Sequence, residues 1–251
     1  MIRIDHMYIA PVKALALAEV ARAYLDKPGI AGDRAFFIID AEGKLFTQRD
    51  HGSLVQIRPS YDAGTGELQL AFPDGRLVRG VPALGEPVST AFWEGRPVEG
   101  REVRGEWNEA LSEFASQPLR LVKTATRGSS FDAFPLSLCS TASVEALARA
   151  AGETVDGRRF RQNIYLSGAE PHQEDEWVGR EVRVGQALIR VKMRDSRCAV
   201  TTHSPETGEI DMNTLKIIAS YRTDQPKEVN FGVYCTVVEP GEAAIGDEVV
   251  A

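Results

Sequence analysis

The chain has 251 residues, of which 43% are hydrophobic and 26% are charged, a composition typical of globular proteins with a packed core. Its formal net charge of −7 opposes binding to nucleic acid polymers and to acidic membrane surfaces. No apolar run is long enough to cross a bilayer, and the first residues lack the apolar core of a signal peptide. We therefore expect a cytoplasmic protein with neither a membrane nor a nucleic acid partner.

Residues 1–104 have the pattern of short strands separated by turns. Residues 35–39 and 67–72 are rich in β-branched and aromatic residues or alternate between apolar and polar residues. Turn residues punctuate this region at 40–43, 62–66 and 73–75. This regular spacing predicts a β-barrel or sandwich.

Helical periodicity begins near residue 106 and marks a second region. The sequence predicts helices over residues 106–117, from Ser140 or Thr141 to Gly152, and over residues 214–221. Strands are predicted over residues 163–166, 181–193 and 229–238. The expected fold class is mostly β with a few helices (α+β), divided into domains 1–104 and 105–251 at the change of periodicity.

The three cysteines are too far apart for a CxxC-type metal site. Cys139 and Cys235 lie in apolar segments and are expected to be core residues. Cys198 follows the apolar stretch that ends at Met193, and Arg194 and Arg197 beside it would favour the thiolate, the form that binds a soft metal. A buried structural cysteine is the alternative interpretation, and for a cysteine without further context it is the preferred one.

Several short patterns supply that context. They follow one another in a fixed order along the chain: Tyr8-Ile9-Ala10-Pro11-Val12-Lys13-Ala14, Gly32-Asp33-Arg34, Thr47-Gln48-Arg49, Phe131-Asp132-Ala133-Phe134-Pro135, Arg159-Phe160-Arg161-Gln162-Asn163, Ser196-Arg197-Cys198, Pro205-Glu206-Thr207-Gly208 and Phe231-Gly232-Val233-Tyr234. Together they resemble the MOSC family in its two-part form, over nearly the whole chain. The implied architecture is a MOSC N-terminal β-barrel domain packed on a MOSC β-barrel domain, similar to amidoxime-reducing and hydroxylaminopurine-reducing molybdoenzymes.

The resemblance implies a molybdenum cofactor with a pyranopterin, in which Cys198 ligates the metal. Cationic and amide side chains would hold the phosphate and the polar edges of such a cofactor. The implied contacts are Lys13, Ala14, Arg34, Arg49, Arg159, Arg161, Asn163, Arg197 and Tyr234, and Asp33 is expected to anchor Arg34. Two positions depart from the family pattern, because Ala14 replaces the usual serine and Gln162 a frequent proline.

The function that the resemblance implies is reduction of N-hydroxylated compounds, namely amidoximes, hydroxylamines or hydroxylaminopurines, by oxygen-atom transfer to molybdenum. Two alternatives remain open: a non-catalytic carrier of the molybdenum cofactor, and a sulfur-transfer module with a persulfide on Cys198. The chain has no ferredoxin-type cysteine motif and no GxGxxG loop. We therefore expect an external redox protein as electron donor, a small N-hydroxylated substrate and a monomer.

Overall fold

A computed structural model describes residues 1–92, 95–223 and 228–251. Strands dominate it, and three α-helices lie within the described residues, which confirms the predicted mostly β class. The N-terminal strands are β1 (Ile2–Ile9), β2 (Ala18–Glu19), β3 (Arg22–Asp26), β4 (Gly29–Ile30), β5 (Phe36–Ile39), β6 (Leu45–Phe46), β7 (Arg58–Tyr61), β8 (Leu68–Ala71), β9 (Leu77–Gly80), β10 (Ala83–Ala91) and β11 (Pro97–Arg104).

The second half contains the helices and the remaining strands. They are α1 (Glu106–Ala115), β12 (Arg120–Thr124), β13 (Leu136–Ser140), α2 (Thr141–Ala151), β14 (Ile164–Ser167), β15 (Glu181–Val184), β16 (Ala187–Ser196), α3 (Thr214–Tyr221), β17 (Asn230–Glu239), β18 (Gly241–Ala244) and β19 (Glu248–Val250). All three predicted helices and the three predicted strand regions are confirmed, with the 181–193 region folded as the β15–β16 hairpin.

Seven strands close into a barrel in the order β1-β14-β13-β17-β16-β15-β19, with β19 returning to β1. The first strand completes this barrel, because Met7 pairs with Ile164 on one side and Ile2 pairs with Val249 on the other. The barrel interior holds alternating apolar side chains such as Val182, which is fully buried.

The N-terminal strands form two further sheets, one of which also contains β12, in the orders β10-β11-β12-β5-β6 and β7-β8-β9. They enclose a second core together with α1, whose buried face carries Trp107, Ala110 and Leu111. The predicted turns at 40–43, 62–66 and 73–75 connect β5 to β6, β7 to β8 and β8 to β9.

Packing crosses the predicted boundary at residue 104 in both directions. Helix α1 and strand β12 follow that residue, yet β12 pairs with β5 and α1 packs in the N-terminal core. Conversely, β1 belongs to the barrel, and β3 pairs with β18. The change of periodicity at residue 104 marks the start of α1. The two bodies of the structure are the seven-stranded barrel and the N-terminal sheets packed with α1, and each contains elements from both sides of residue 104.

The helix termini show the capping chemistry that the sequence predicts. Ser140 accepts a hydrogen bond from the Ser143 N–H at 3.1 Å and caps α2, and Gly152 ends that helix with φ 75°. Helix α2 packs on strands β13 and β14 and on helix α3, and the core layer beneath the two helices contains the stacked rings of Phe160 and Phe231, whose centroids are 3.9 Å apart. This layer supports the segment that leads to Cys198.

Candidate functional site

Cys198 lies directly beyond the end of β16 and begins the 3-10 turn Ala199–Thr202. Its side chain is half-buried, whereas Cys139 and Cys235 are fully buried, as predicted for core residues. Burial raises the pKa of both buried thiols well above the usual range, which keeps them protonated. Of the three sulfur atoms, that of Cys198 is therefore the one placed to meet a ligand.

Arg197 beside the cysteine is held from two sides. Its guanidinium forms an ion pair with the buried Asp195, and it lies 5.5 Å from the centre of the Phe160 ring. Burial opposes the charge on Arg197, but Asp195 outweighs it and raises the pKa of the guanidinium. Arg194 is instead paired with Asp175 at 3.2 Å, so Arg197 is the fixed cation next to Cys198.

Arg159 stabilises the backbone that follows Cys198. Its buried guanidinium donates to the Thr201 carbonyl at 3.0 Å and forms an ion pair with Asp211 at 3.2 Å. The Thr201 hydroxyl in turn donates to the Cys198 carbonyl at 3.1 Å. The structure thus gives Arg159 a positioning role within the protein, and its predicted cofactor contact stays a prediction.

A cationic cluster of Lys13, Arg34 and Arg161 forms near the junction of the two bodies, although these residues are distant in sequence. Burial lowers the pKa of Lys13, and the nearby charges of Arg34 and Arg161 lower it further, while Asp132, 2.7 Å from the Lys13 Nζ, acts in the opposite direction. The structure therefore brings the three cations together; anion binding by them stays a prediction.

Asp33 anchors Arg34, as the sequence suggested. The buried carboxylate forms an ion pair with Arg34 and accepts hydrogen bonds from the Ala10 N–H at 2.7 Å and from Asn163 at 3.0 Å. Burial opposes the charge on Arg34, but Asp33 and then Asp132 raise the pKa of its guanidinium. Arg34 is consequently charged and fixed in direction.

Arg161 differs from its neighbours because no carboxylate among the described residues is ion-paired with it. Its guanidinium donates to the Leu15 carbonyl at 2.9 Å, and burial together with Arg34 lowers its pKa to about 10. The cluster thus contains three cations but only two carboxylates, Asp33 and Asp132. A phosphate-bearing ligand fits this excess of positive charge.

The remaining predicted contacts lie in different environments. The amide of Asn163 is occupied within the protein, because it donates to the Tyr8 carbonyl and to Asp33 and accepts from Ser137. Tyr234 is half-buried on β17, and its pKa is raised by burial and by Asp195. None of these observations tests the cofactor contacts that the resemblance implies.

Ala14 and Arg49 are the remaining two residues among the predicted cofactor contacts. Ala14 is almost fully buried in the N-terminal core and adopts φ 76°, a left-handed backbone that is rare for alanine. Arg49 is exposed on the loop after β6, so it is not part of the buried cationic cluster.

The sequence analysis assigned no role to two residues of the site, Asp132 and Gln162. Asp132 is ion-paired with Lys13, and its position in the Phe131-Asp132 pattern was the feature of the sequence that could have indicated a role. Gln162, at the position where the family often has proline, is fully buried and donates to Asp195 at 2.9 Å and to the Phe231 carbonyl at 3.2 Å. It therefore fixes the carboxylate that holds Arg197.

A cleft of about 820 Å³ opens between the two bodies, and Arg161 lies in its wall. Polar and apolar side chains line the cleft in similar measure, and the polar ones include three arginines and one carboxylate. Its lining includes Leu17, Val55, Gln56, Arg58, Pro59, Phe72, Arg158, Arg161, Pro205, Glu206 and Thr207.

A seven-stranded barrel, a half-buried cysteine at a strand end and a cationic cluster define a β-barrel protein with a candidate site for an anionic cofactor. The chain belongs to the MOSC family: the MOSC domain matches residues 125–250, and the MOSC N-terminal beta barrel domain matches residues 1–113.

Curated relatives extend over almost the whole chain. The mitochondrial amidoxime-reducing component 1 of Homo sapiens is 28% identical over 98% of this chain and 82% of its own length, and that of Mus musculus is 27% identical over 98% and 81%. The molybdenum cofactor sulfurase 2 of Aedes aegypti is 25% identical over 96% of this chain but only 31% of its own length. The family and these relatives associate the chain with the molybdenum cofactor.

Proposed function

We propose that this protein is a molybdenum-cofactor-dependent reductase of N-hydroxylated compounds. The observation that carries the proposal is the half-buried Cys198 at the end of β16, in a chain whose cationic cluster has one positive charge in excess. The names of the amidoxime-reducing relatives support the reaction class. Amidoximes, hydroxylamines and hydroxylaminopurines are the proposed substrates.

In this proposal each part of the site has a distinct task. The Cys198 sulfur would ligate molybdenum, and Lys13, Arg34 and Arg161 would hold the anionic end of the pyranopterin. When bound, the cofactor would supply two-electron redox chemistry at the metal. Tyr234, whose pKa is raised by burial and by Asp195, would contact the cofactor from strand β17.

Metal analysis tests the cofactor assignment. Protein from a molybdenum-replete host should contain close to one molybdenum per chain, and Cys198→Ser should lose the metal's thiolate ligand. Cys139→Ser and Cys235→Ser are matched controls at buried cysteines and should retain the metal. An unchanged molybdenum absorption spectrum in Cys198→Ser would contradict the assignment.

Turnover with an artificial electron donor tests the reaction. With reduced methyl viologen, the loaded protein should convert benzamidoxime to benzamidine or 6-hydroxylaminopurine to adenine. NADH or NADPH alone should give no turnover, because we propose that a separate redox protein delivers the electrons. If loaded protein reduces no N-hydroxylated compound, a carrier of the cofactor becomes the preferred function, and a persulfide on Cys198 would indicate sulfur transfer.

The cellular location and the monomeric state are also proposals. None of the helices within the described residues is long and apolar enough to span a bilayer. The vertebrate relatives are named as mitochondrial proteins, whereas we propose a cytoplasmic location for this chain. Fractionation of the source cells and light scattering of the purified protein test these two points.

A further inference from the structure

A close backbone contact joins the N-terminal sheets to the loop that follows Cys198. Gly52 begins the 3-10 turn Gly52–Gln56, and Gly208 belongs to the loop 203–210. A Cβ atom added to Gly52 would lie 2.1 Å from the Gly208 carbonyl oxygen, and one added to Gly208 would lie 2.0 Å from that of Gly52. The two backbones can approach this closely only because neither residue has a side chain.

Hydrogen bonds reinforce the contact and stiffen the loop. The Gln56 amide donates to the Thr207 carbonyl at 2.9 Å, across the two bodies. Within the loop, the Gly208 N–H donates to the Ser204 carbonyl at 2.9 Å, and His203 Nδ1 lies 3.0 Å from the Gly208 carbonyl oxygen. Its internal hydrogen bonds therefore hold the loop in one conformation where it contacts Gly52. Gln56 and Thr207 also line the cleft between the two bodies.

A short, well-braced segment connects this docked loop to the cysteine. The turn Ala199–Thr202 follows Cys198, and the Thr201 hydroxyl bonds to the Cys198 carbonyl at 3.1 Å and to the buried Thr214 hydroxyl at 2.7 Å. Arg159 holds the Thr201 carbonyl at 3.0 Å. The docked loop and Cys198 are thus joined by one short segment whose backbone is hydrogen-bonded at both Cys198 and Thr201.

We propose that Gly52 and Gly208 are positioning residues whose contact docks the loop 203–210 on the N-terminal sheets and so fixes the Cys198 sulfur relative to the cationic cluster. The contact also gives the Pro205-Glu206-Thr207-Gly208 pattern a structural reason, since a side chain at position 208 would prevent docking. The effect on a bound cofactor rests on the proposed function, whereas the docking itself does not.

Gly52→Ala tests the contact in metal-free protein. The backbone of Gly52 is outside the left-handed region, so the added methyl acts through its clash with Gly208. Amide exchange of residues 199–210 and maleimide labelling of Cys198, read by peptide mass spectrometry, should each accelerate about tenfold, as expected for a loss of about 1.4 kcal/mol of docking free energy. Gly64→Ala is the matched control, because Gly64 lies in an exposed turn where the added Cβ meets only Asp62 Oδ1, at 3.2 Å.

The loaded protein gives an independent spectroscopic signature. From a molybdenum-replete host, Gly52→Ala should show a shifted metal–thiolate absorption and a lower molybdenum content, whereas Gly64→Ala should match the wild type. Exchange and labelling rates in Gly52→Ala equal to those of Gly64→Ala would overturn the inference. Accelerated rates in Gly52→Ala, with no molybdenum in the wild type, would support the docking contact and refute the proposed function.

A milder variant keeps the inference testable if Gly52→Ala does not fold. Gln56→Ala removes the hydrogen bond to Thr207 without adding an atom to the contact. Its exchange and labelling rates should rise in the same segment by a smaller factor. Rates that remain at the wild-type value would overturn the inference.

Discussion

The unpaired charge of Arg161 predicts that Arg161→Gln stabilises the cofactor-free protein. Burial and Arg34 lower the pKa of this guanidinium to about 10 from its usual 12.5, which corresponds to roughly 3 kcal/mol of destabilisation of the charged form. Solvent screening of this half-buried side chain reduces the destabilisation to about 2 kcal/mol. Loss of the hydrogen bond to the Leu15 carbonyl costs the variant about 1 kcal/mol. The variant should therefore be about 1 kcal/mol more stable to unfolding.

Arg161→Gln is expected to stabilise the protein because the pKa of Arg161 is lowered, not raised, in the folded state. A base with a lowered pKa destabilises the folded state fully at neutral pH, and the penalty fades only as the pH rises through about 10. At pH 7 the stabilisation of Arg161→Gln is thus at its full value. The left-handed φ of 54° at this position penalises both side chains similarly, so it does not obscure the comparison.

Urea unfolding of metal-free protein at pH 7 measures the change, with Arg158→Gln as the control. Arg158 lines the same cleft but is paired with Asp156 at 2.6 Å and with Glu206 at 2.9 Å, so its removal should give no gain. In protein from a molybdenum-replete host, Arg161→Gln should retain less cofactor than the wild type. A metal-free Arg161→Gln that is less stable than the metal-free wild type would refute the reasoning. An unchanged molybdenum content of Arg161→Gln from the molybdenum-replete host would refute it too.

Three further predictions concern buried charges. Lys13→Glu should reduce molybdenum content, because it reverses a charge in the cluster; an unchanged content would contradict the cluster's role. Asp33→Ala removes the acceptor for three donors and should lower the free energy of unfolding by about 3–5 kcal/mol in urea. Burial raises the pKa of Glu174 to about 7, so wild-type stability relative to Glu174→Gln should fall by about 3 kcal/mol as the pH rises from 4.5 to above 7. Glu176→Gln, at an exposed position two residues away, is the matched control in urea unfolding across that pH range.

Local structure could be predicted from the sequence because its causes are local. The caps at Ser140 and Gly152, the turn residues and the 3.6-residue periodicity of α1 lie within the elements that they define. The burial of Cys139 and Cys235 followed from their apolar neighbours in the chain. Each of these features depends on contacts a few residues apart, which a pattern can reveal.

The partners of polar residues could not be predicted in the same way. Asn163 and Arg159 are of the right type for ligand contacts, but their hydrogen bonds go to Tyr8 and Thr201, which are remote in sequence. The pairing of Lys13 with Asp132 likewise joins residues that are 119 positions apart in the chain. A pattern identifies the chemistry of a side chain, whereas its partners depend on the fold.

Closure of the barrel by β1 has a consequence for how the protein is made. As the chain leaves the ribosome, β1 emerges well before its partners Ile164–Ser167 and Glu248–Val250. Until then both edges of this strand lack their barrel neighbours, and such edges favour pairing between nascent chains. Shielding of the first strand by a chaperone during translation would therefore raise the yield of folded protein.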